Sequence, residues 1–289
     1  MSWEIHKKED ISEIKKLIIK KEWAYVSFSA RFRDYLKNGF GIKNDCIIIV
    51  NRQKNENRIL EAVMLLRQGI ILPLLELPSH RDQSITLKYL MTQFMKNMRK
   101  LHSIIGLYDD VQLIEEIIPL KVSHHVDYYL MTISKKPLHN SDFSIYNDII
   151  IKKAELKDAD KLYPLQKMYE LEEVFIDPSK FNPRLCLTHF KKILKSELII
   201  YAEINGVPVA KAGTNAQGFF TDQIGGVYTK AEQRRKGIAS CLMYSLLERI
   251  FETKKDVSLF VKKNNTPAIS FYKKIGFHIR ENFRISYYT

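Results

Sequence analysis

Residues 234–240 read Arg-Arg-Lys-Gly-Ile-Ala-Ser, three cationic side chains and a glycine set immediately before an apolar, helix-patterned run. That order suits a diphosphate. Gly237 lets main-chain N–H groups approach an anion, the positive end of a helix starting there attracts it, and Arg234, Arg235 and Lys236 add charge. Ala239 is small enough to leave the approach open. A second group lies downstream, running Asn265-x-Pro267-Ala268-x-x-x-Tyr272-x-x-x-Gly276-Phe277. Here Asn265 is a helix cap, Pro267 suits a first turn, Ala268 and Tyr272 share one face, and Gly276 ends the helix. Capping leaves only Tyr272 unexplained, and burial tendencies alone would assign that ring to a core.

The elements that must hold these groups follow from periodicity. In the second half, 148–154 reads as a strand, 156–175 as an amphipathic helix opened by Asp158 and Asp160, and Pro183 to Ser196 as another helix. Three strand-like runs follow, separated by Asn205-Gly206 and by residues 215–218, the turn chemistry of an antiparallel meander. A helix over 237–253, a strand over 256–261, a helix over 266–275 and a strand over 283–288 complete the series. The first half repeats this succession: a helix over 11–21, strands at 45–50, 59–66 and 69–77, a helix over 84–100, a strand at 102–107, a helix over 110–118 and a strand at 126–133. Matching Ile48 to Ile200 and Ile105 to Leu259 predicts two copies of one fold about 150 residues apart. The stretch 134–148, with Pro137 and an Asn/Ser/Asp cluster, reads as a linker, which places a first domain at 1–140 and a second at 141–289.

With 289 residues, 45% of them hydrophobic, the chain can fill two ordinary cores. Three cysteines, Cys46, Cys186 and Cys241, have no CxxC pairing, so a disulfide frame and a zinc site are disfavoured and a reducing cytoplasm is expected. No segment has the apolar length of a membrane span or a signal peptide. His124-His125 has no companion at metal spacing, and the HExxH, GxSxG, GxxxxGK and GxGxxG patterns are missing, so no metal is expected. The formal net charge of +13 would concentrate anions, but the lysines are scattered and read first as a solvated surface.

In their order and structural setting, residues 224–243 and 264–277 resemble the GNAT superfamily of N-acetyltransferases, a likeness that covers about 148–289. The resemblance implies acetyl-coenzyme A as co-substrate. It implies that Arg234, Arg235, Lys236, Gly237, Ile238, Ala239 and the amide of Ser240 hold the pyrophosphate, that Val227 and Thr229 pair with the pantetheine arm, that Asn265 touches the cofactor, and that Tyr272 lies near the thioester sulfur. The family's usual proline ahead of the loop is Ala231 here, the frequent glycine after the first arginine is Arg235, and the last glycine is Ala239. The first half looks like a degenerate copy, as in tandem acetyltransferase-like proteins. The segment aligned with the phosphate loop, 78–85, has no glycine, and Tyr272 aligns with Ile118-Pro119. The implied fold class is α/β (α+β), with two GNAT-like domains, each a mixed, mostly antiparallel sheet flanked by helices.

Direct transfer to an amine needs a neutral nucleophile, a donor for the tetrahedral oxyanion and a proton for the leaving thiolate. Tyr272 is the candidate acid and a strand amide near Val227 or Tyr228 the candidate oxyanion donor. Glu173 is ranked first as base, ahead of Glu203 and Asp222, with a water chain as an equal alternative. The expected acceptor is a small-molecule or peptide amine, the chain a monomer or homodimer, with membrane and nucleic acid disfavoured as partners. The rival class is a non-catalytic basic protein that contacts nucleic acid or a protein partner.

Overall fold

The computed structural model describes residues 2–37, 46–53, 58–75, 84–96, 100–137, 148–175 and 177–288. Most of the glycine-free segment 78–85 and of the expected linker 134–148, including the boundary near 140, lies outside these residues.

The chain forms two compact units. The first comprises residues 1–131, 260–269 and 279–289, the second 132–259 and 270–278. In the first unit β1 (Ser2–Ile5), β2 (Cys46–Gln53), β3 (Arg58–Leu66), β4 (Ile70–Leu74), β5 (Ser103–Leu107), β6 (His124–Ile133) and β12 (His278–Tyr287) lie in the order β1-β2-β3-β4-β5-β12-β6. The β4–β5 pair is parallel, while β1–β2, β2–β3, β3–β4 and β5–β12 are antiparallel. Helices α1 (Ile11–Lys20), α2 (Val26–Lys37), α3 (Ser84–Met95) and α4 (Tyr108–Ile117) belong to it. A core cluster there draws Ile49, Val63, Leu65 and Ile71 from the strands, Leu87 and Met91 from α3, and Val111 and Ile114 from α4.

In the second unit β7 (Ile149–Lys153), β8 (Ile199–Ile204), β9 (Val207–Gln217), β10 (Thr221–Thr229) and β11 (Asp256–Lys262) are arranged as β11-β10-β9-β8-β7. Only β10–β11 is parallel. The helices are α5 (Ala159–Tyr169), α6 (Pro183–Ser196), α7 (Ile238–Phe251) and α8 (Thr266–Ile275), whose last residues pack here. Leu162 and Leu165 of α5 and Phe190 of α6 close over Ile199, Tyr201 and Tyr228, burial that stabilises by about 1.5–3 kcal/mol per large apolar side chain.

Local rules explain the ends of these elements. Pro183 opens α6 behind Asn182, whose Oδ1 accepts from Arg184 N (3.0 Å) and Leu185 N (3.1 Å), satisfying N–H groups that a helix start leaves open. Asn205 and Gly206 both adopt positive φ, as a tight turn between β8 and β9 demands. The succession β2-β3-β4-α3-β5-α4-β6 recurs as β8-β9-β10-α7-β11-α8-β12, so the repeat of elements expected at about 150 residues is present.

Three differences have physical causes. β1 and α2 were not predicted: β1 has only four residues, and α2 buries Ser29 beside Val26, Phe28 and Phe32, which blurs its apolar stripe. β12 starts at His278 rather than 283, its first five residues being exposed and without apolar alternation. The helix expected over 156–175 is broken into a 3₁₀ turn, α5 and a π-helical turn over Glu170–Val174.

Candidate functional site

Two neighbouring strands of the second unit part midway along their length. β10 pairs with β11 from Thr221↔Asp256 to Ile224↔Leu259, and the paired register stops there although β10 continues to Thr229. Lys230 N–H donates to Val209 O (2.9 Å), so strand alternation directs the main chain of Tyr228 toward β9, and that of Val227 and Thr229 toward the edge that β11 leaves. The sequence reading left Val227 and Tyr228 open as oxyanion donor; of the two, Val227 is the one whose main chain faces away from β9. Between Gly225↔Gly213 and Tyr228↔Lys211 the register with β9 slips, setting Gly226 and Val227 opposite Ala212 alone. This is a bulge of the kind that re-aims a strand.

Below that edge the chain makes a 3₁₀ turn at Ala231–Gln233, passes through positive φ at Arg235 (66°) and Gly237 (78°), and enters α7 at Ile238. A left-handed residue turns successive N–H groups to one side, and at Gly237 this carries no Cβ penalty. Arg234 N donates to Ala231 O, while Ser240 N and Cys241 N both turn back to Gly237 O. Among the described residues no main-chain carbonyl accepts from the N–H groups of Arg235, Lys236, Gly237, Ile238 or Ala239. Five consecutive open donors at a helix start are the kind of cradle that suits an anion, and their number and the adjoining cations are compatible with a diphosphate.

The cationic side chains divide their work. Arg234 is a clamp: its Nε donates to Thr229 O (3.0 Å) and its Nη2 to Glu172 Oε2 (2.7 Å). Glu172 Oε1 accepts from the Tyr228 hydroxyl (2.7 Å), which ties the π-helical turn to both β10 and the loop. Burial opposes the Glu172 carboxylate, but the Tyr228 hydroxyl and the Arg234 guanidinium outweigh it and hold its pKa below the usual value. Burial, and then Glu172, push the Tyr228 phenol up to about 12. Arg235 and Lys236 remain exposed at the mouth of the cradle, with Lys236 Nζ donating to Gln233 Oε1 (3.0 Å).

Tyr272 stands on α8, partly buried, with ring centroids 5.2 Å from Phe271 and 6.0 Å from Phe277. Burial foremost, then Tyr169 and the Glu173 carboxylate, push its phenol well above the ordinary tyrosine value. It therefore stays protonated throughout the neutral range, as an acid must. The π-helical turn, closed by Phe175 N–H donating to Glu170 O (2.8 Å), widens the helix where it supplies these groups, so that Glu172 meets Arg234 and Tyr228 while Glu173 acts on Tyr272. The other two base candidates are held by lysines: Glu203 by Lys152 and Lys161 (2.7 Å to the latter), Asp222 by Lys254 (3.2 Å). Asn265 lies in the 260–269 segment of the first unit, where its Oδ1 accepts from Ala268 N (3.1 Å) and caps α8. Among the described residues no group of three or more His, Cys, Asp or Glu side chains is placed to hold a metal.

Lys211 is the functional candidate that sequence reasoning missed. It lies on β9, 3% exposed, with Nζ donating to Gly226 O (2.8 Å) and 4.6 Å from the Tyr169 ring centroid. Burial lowers its pKa to about 7, against the opposing pull of Glu170 and Cys186. The signal was a single cation inside the small-residue strand Ala210-Lys211-Ala212-Gly213. A lysine whose folded pKa lies below its unfolded value binds fewer protons in the fold, so stability should rise with pH between about 7 and 10.5, by about 1.4 kcal/mol per pH unit. Urea unfolding at pH 7 and pH 9 checks this: the wild type should gain about 2–3 kcal/mol relative to Lys211→Met. A constant difference between the two proteins would refute the buried titration.

The sequence profile described as "Acetyltransferase (GNAT) family" matches residues 162–277. Similar solved structures extend over almost the whole chain. A Drosophila protein covers 99% of this chain and 98% of its own at 10% identity and TM-score 0.69. A tandem GNAT protein from the clavulanic acid biosynthesis pathway covers 99% and 98% at 12% identity and TM-score 0.59. A GCN5-related N-acetyltransferase from Sphaerobacter thermophilus covers 98% and 94% at 15% identity and TM-score 0.57. At these identities the likeness is one of fold, and it gives the chain two GNAT-like domains. No curated protein matches the sequence.

Proposed function

Residues 162–277 match the profile of the GNAT acetyltransferase family, and from that premise we propose that the chain is an acetyl-coenzyme A-dependent N-acetyltransferase acting on a primary amine. The observation that carries this is the cradle of open N–H groups at 235–239 set beside the β10 edge that β11 leaves free. Those N–H groups would hold the pyrophosphate, Arg235 and Lys236 would add charge, and the Val227 and Thr229 main chain would face the pantetheine arm. Thr229 O is already shared with Arg234, so Val227 offers the freer pairing. When bound, acetyl-coenzyme A supplies an activated acyl group as a thioester.

The remaining chemistry belongs to the chain. Val227 N–H would stabilise the developing oxyanion, Tyr272 would hold the proton destined for the sulfur, and Glu173, beside Tyr272, would take a proton from the amine directly or through water. Glu203 and Asp222 are each held by lysines and lie on β8 and β10. Ser240 N–H is engaged by Gly237 O, and Asn265 is engaged as a cap, so their part would be to shape the helix starts. On this reading the catalytic function belongs to 141–289, and the stretch of 1–140 aligned with the loop, residues 78–85, has no glycine in its sequence. Cys46, Cys186 and Cys241, none of them in a disulfide among the described residues, suit the reducing cytoplasm proposed here.

The test is calorimetric titration with acetyl-coenzyme A, followed by thiol release against a panel of polyamines, aminoglycosides, amino acids and peptide amines. Saturable 1:1 binding with amine-dependent thiol release is expected. Steeply salt-dependent association with RNA or DNA, without saturable cofactor binding, would overturn the reading in favour of a basic binding protein.

A further inference from the structure

A lysine is the most costly side chain to bury without a partner carboxylate in contact, and Lys211 aims its Nζ at a main-chain oxygen instead. The oxygen is that of Gly226, in the bulge where β10 slips against β9. Gly226 adopts φ 63°, and a Cβ there would sit 3.0 Å from Lys211 Nζ, so the glycine leaves the space that the ammonium uses. In a trans peptide the carbonyl and the next N–H point opposite ways, and the chain has no cis peptide bond among the described residues. Holding Gly226 C=O toward Lys211 Nζ therefore turns Val227 N–H away from the ammonium, on the strand whose pairing with β11 has ended by Ile224.

Resting on the acetyltransferase reading above, we propose that Lys211 is a positioning residue that aims and polarises the Val227 N–H by gripping the Gly226 carbonyl. A cation on the carbonyl oxygen draws electron density through the peptide and makes its N–H a stronger donor. The groups that face Lys211 are Tyr169 and Glu170 from the end of α5 and the π-helical turn, Cys186 from α6, and its cross-strand neighbours Tyr201 on β8 and Tyr228 on β10. Glu170 is itself oriented by Gln166 Nε2 (2.8 Å). This wall of tyrosines and one carboxylate keeps water away and leaves the Gly226 oxygen as the ammonium's hydrogen-bond acceptor among the described residues.

Two readouts test this. In the unliganded protein the ¹⁵N–¹H resonance of Val227 should titrate with a midpoint near 7 in wild type and not in Lys211→Met. In turnover, Lys211→Met should lower kcat by about 30-fold or more, the scale of losing an oxyanion donor, while the acetyl-coenzyme A dissociation constant stays within about twofold. Lys211→Gln, which keeps an N–H donor, should recover most of the loss. A Val227 resonance that titrates equally in Lys211→Met, or a kcat unchanged in that variant, overturns the proposal. Since Lys211 is buried, circular dichroism of both variants accompanies the kinetics, and the wild-type titration stands without any variant. If the wild type binds no acetyl-coenzyme A, the acetyltransferase reading fails, while the Val227 titration still decides whether Lys211 grips the bulge.

Discussion

Gly237→Asp is expected to reduce coenzyme A affinity by at least about 100-fold, measured by calorimetry, with the fold preserved. Two effects add at this position. Gly237 sits at φ 78°, and a non-glycine residue in the left-handed region costs about 1–2 kcal/mol, enough to distort the turn that directs five N–H groups to one side. The carboxylate then brings negative charge to the loop proposed to hold the pyrophosphate. Gly237→Ala separates the contributions, since it carries the strain without the charge and should lose only about tenfold. Asp within threefold of wild type would remove the loop from the cofactor site.

Tyr272→Phe is expected to lower kcat by about 100-fold or more with cofactor affinity within twofold, because proton transfer by a placed group contributes about that much. Phenylalanine keeps the ring contacts with Phe271 and Phe277, so the change removes a proton and little else. The raised phenol adds a second signature. Wild-type turnover should show no alkaline decline through the ordinary tyrosine range near about 10, since burial, Tyr169 and Glu173 hold the proton on. Normal turnover in the phenylalanine variant would leave Tyr272 as a packing residue, with water supplying the thiolate's proton.

What could be read in the residues follows from how local each cause is. Helix α6 was legible at its start because Pro183 is itself a start signal, and α8 because Asn265 caps it. The loop at 234–240 was legible as a type of site, since glycine and cations before a helix are a local pattern. The role of Arg234 was not, because its partners Thr229 O and Glu172 come from a strand and from a helix 62 residues earlier. The π-helical turn was hidden since Glu170–Val174 continues an ordinary helical pattern, and an inserted residue leaves no compositional trace. Lys211 was passed over for a similar reason: one charge in a strand says nothing about the glycine carbonyl on the next strand that accepts from it.

The position of β12 between β5 and β6 bears on how the protein is made. During vectorial synthesis the first unit's earlier strands emerge long before residues 279–289 do, so that unit carries a gap in its hydrogen-bonded ladder while the ribosome finishes the second half. Completion of the first unit is thus tied to translation of residues 279–289, and a nascent chain stalled before residue 279 is expected to engage chaperones through that open ladder.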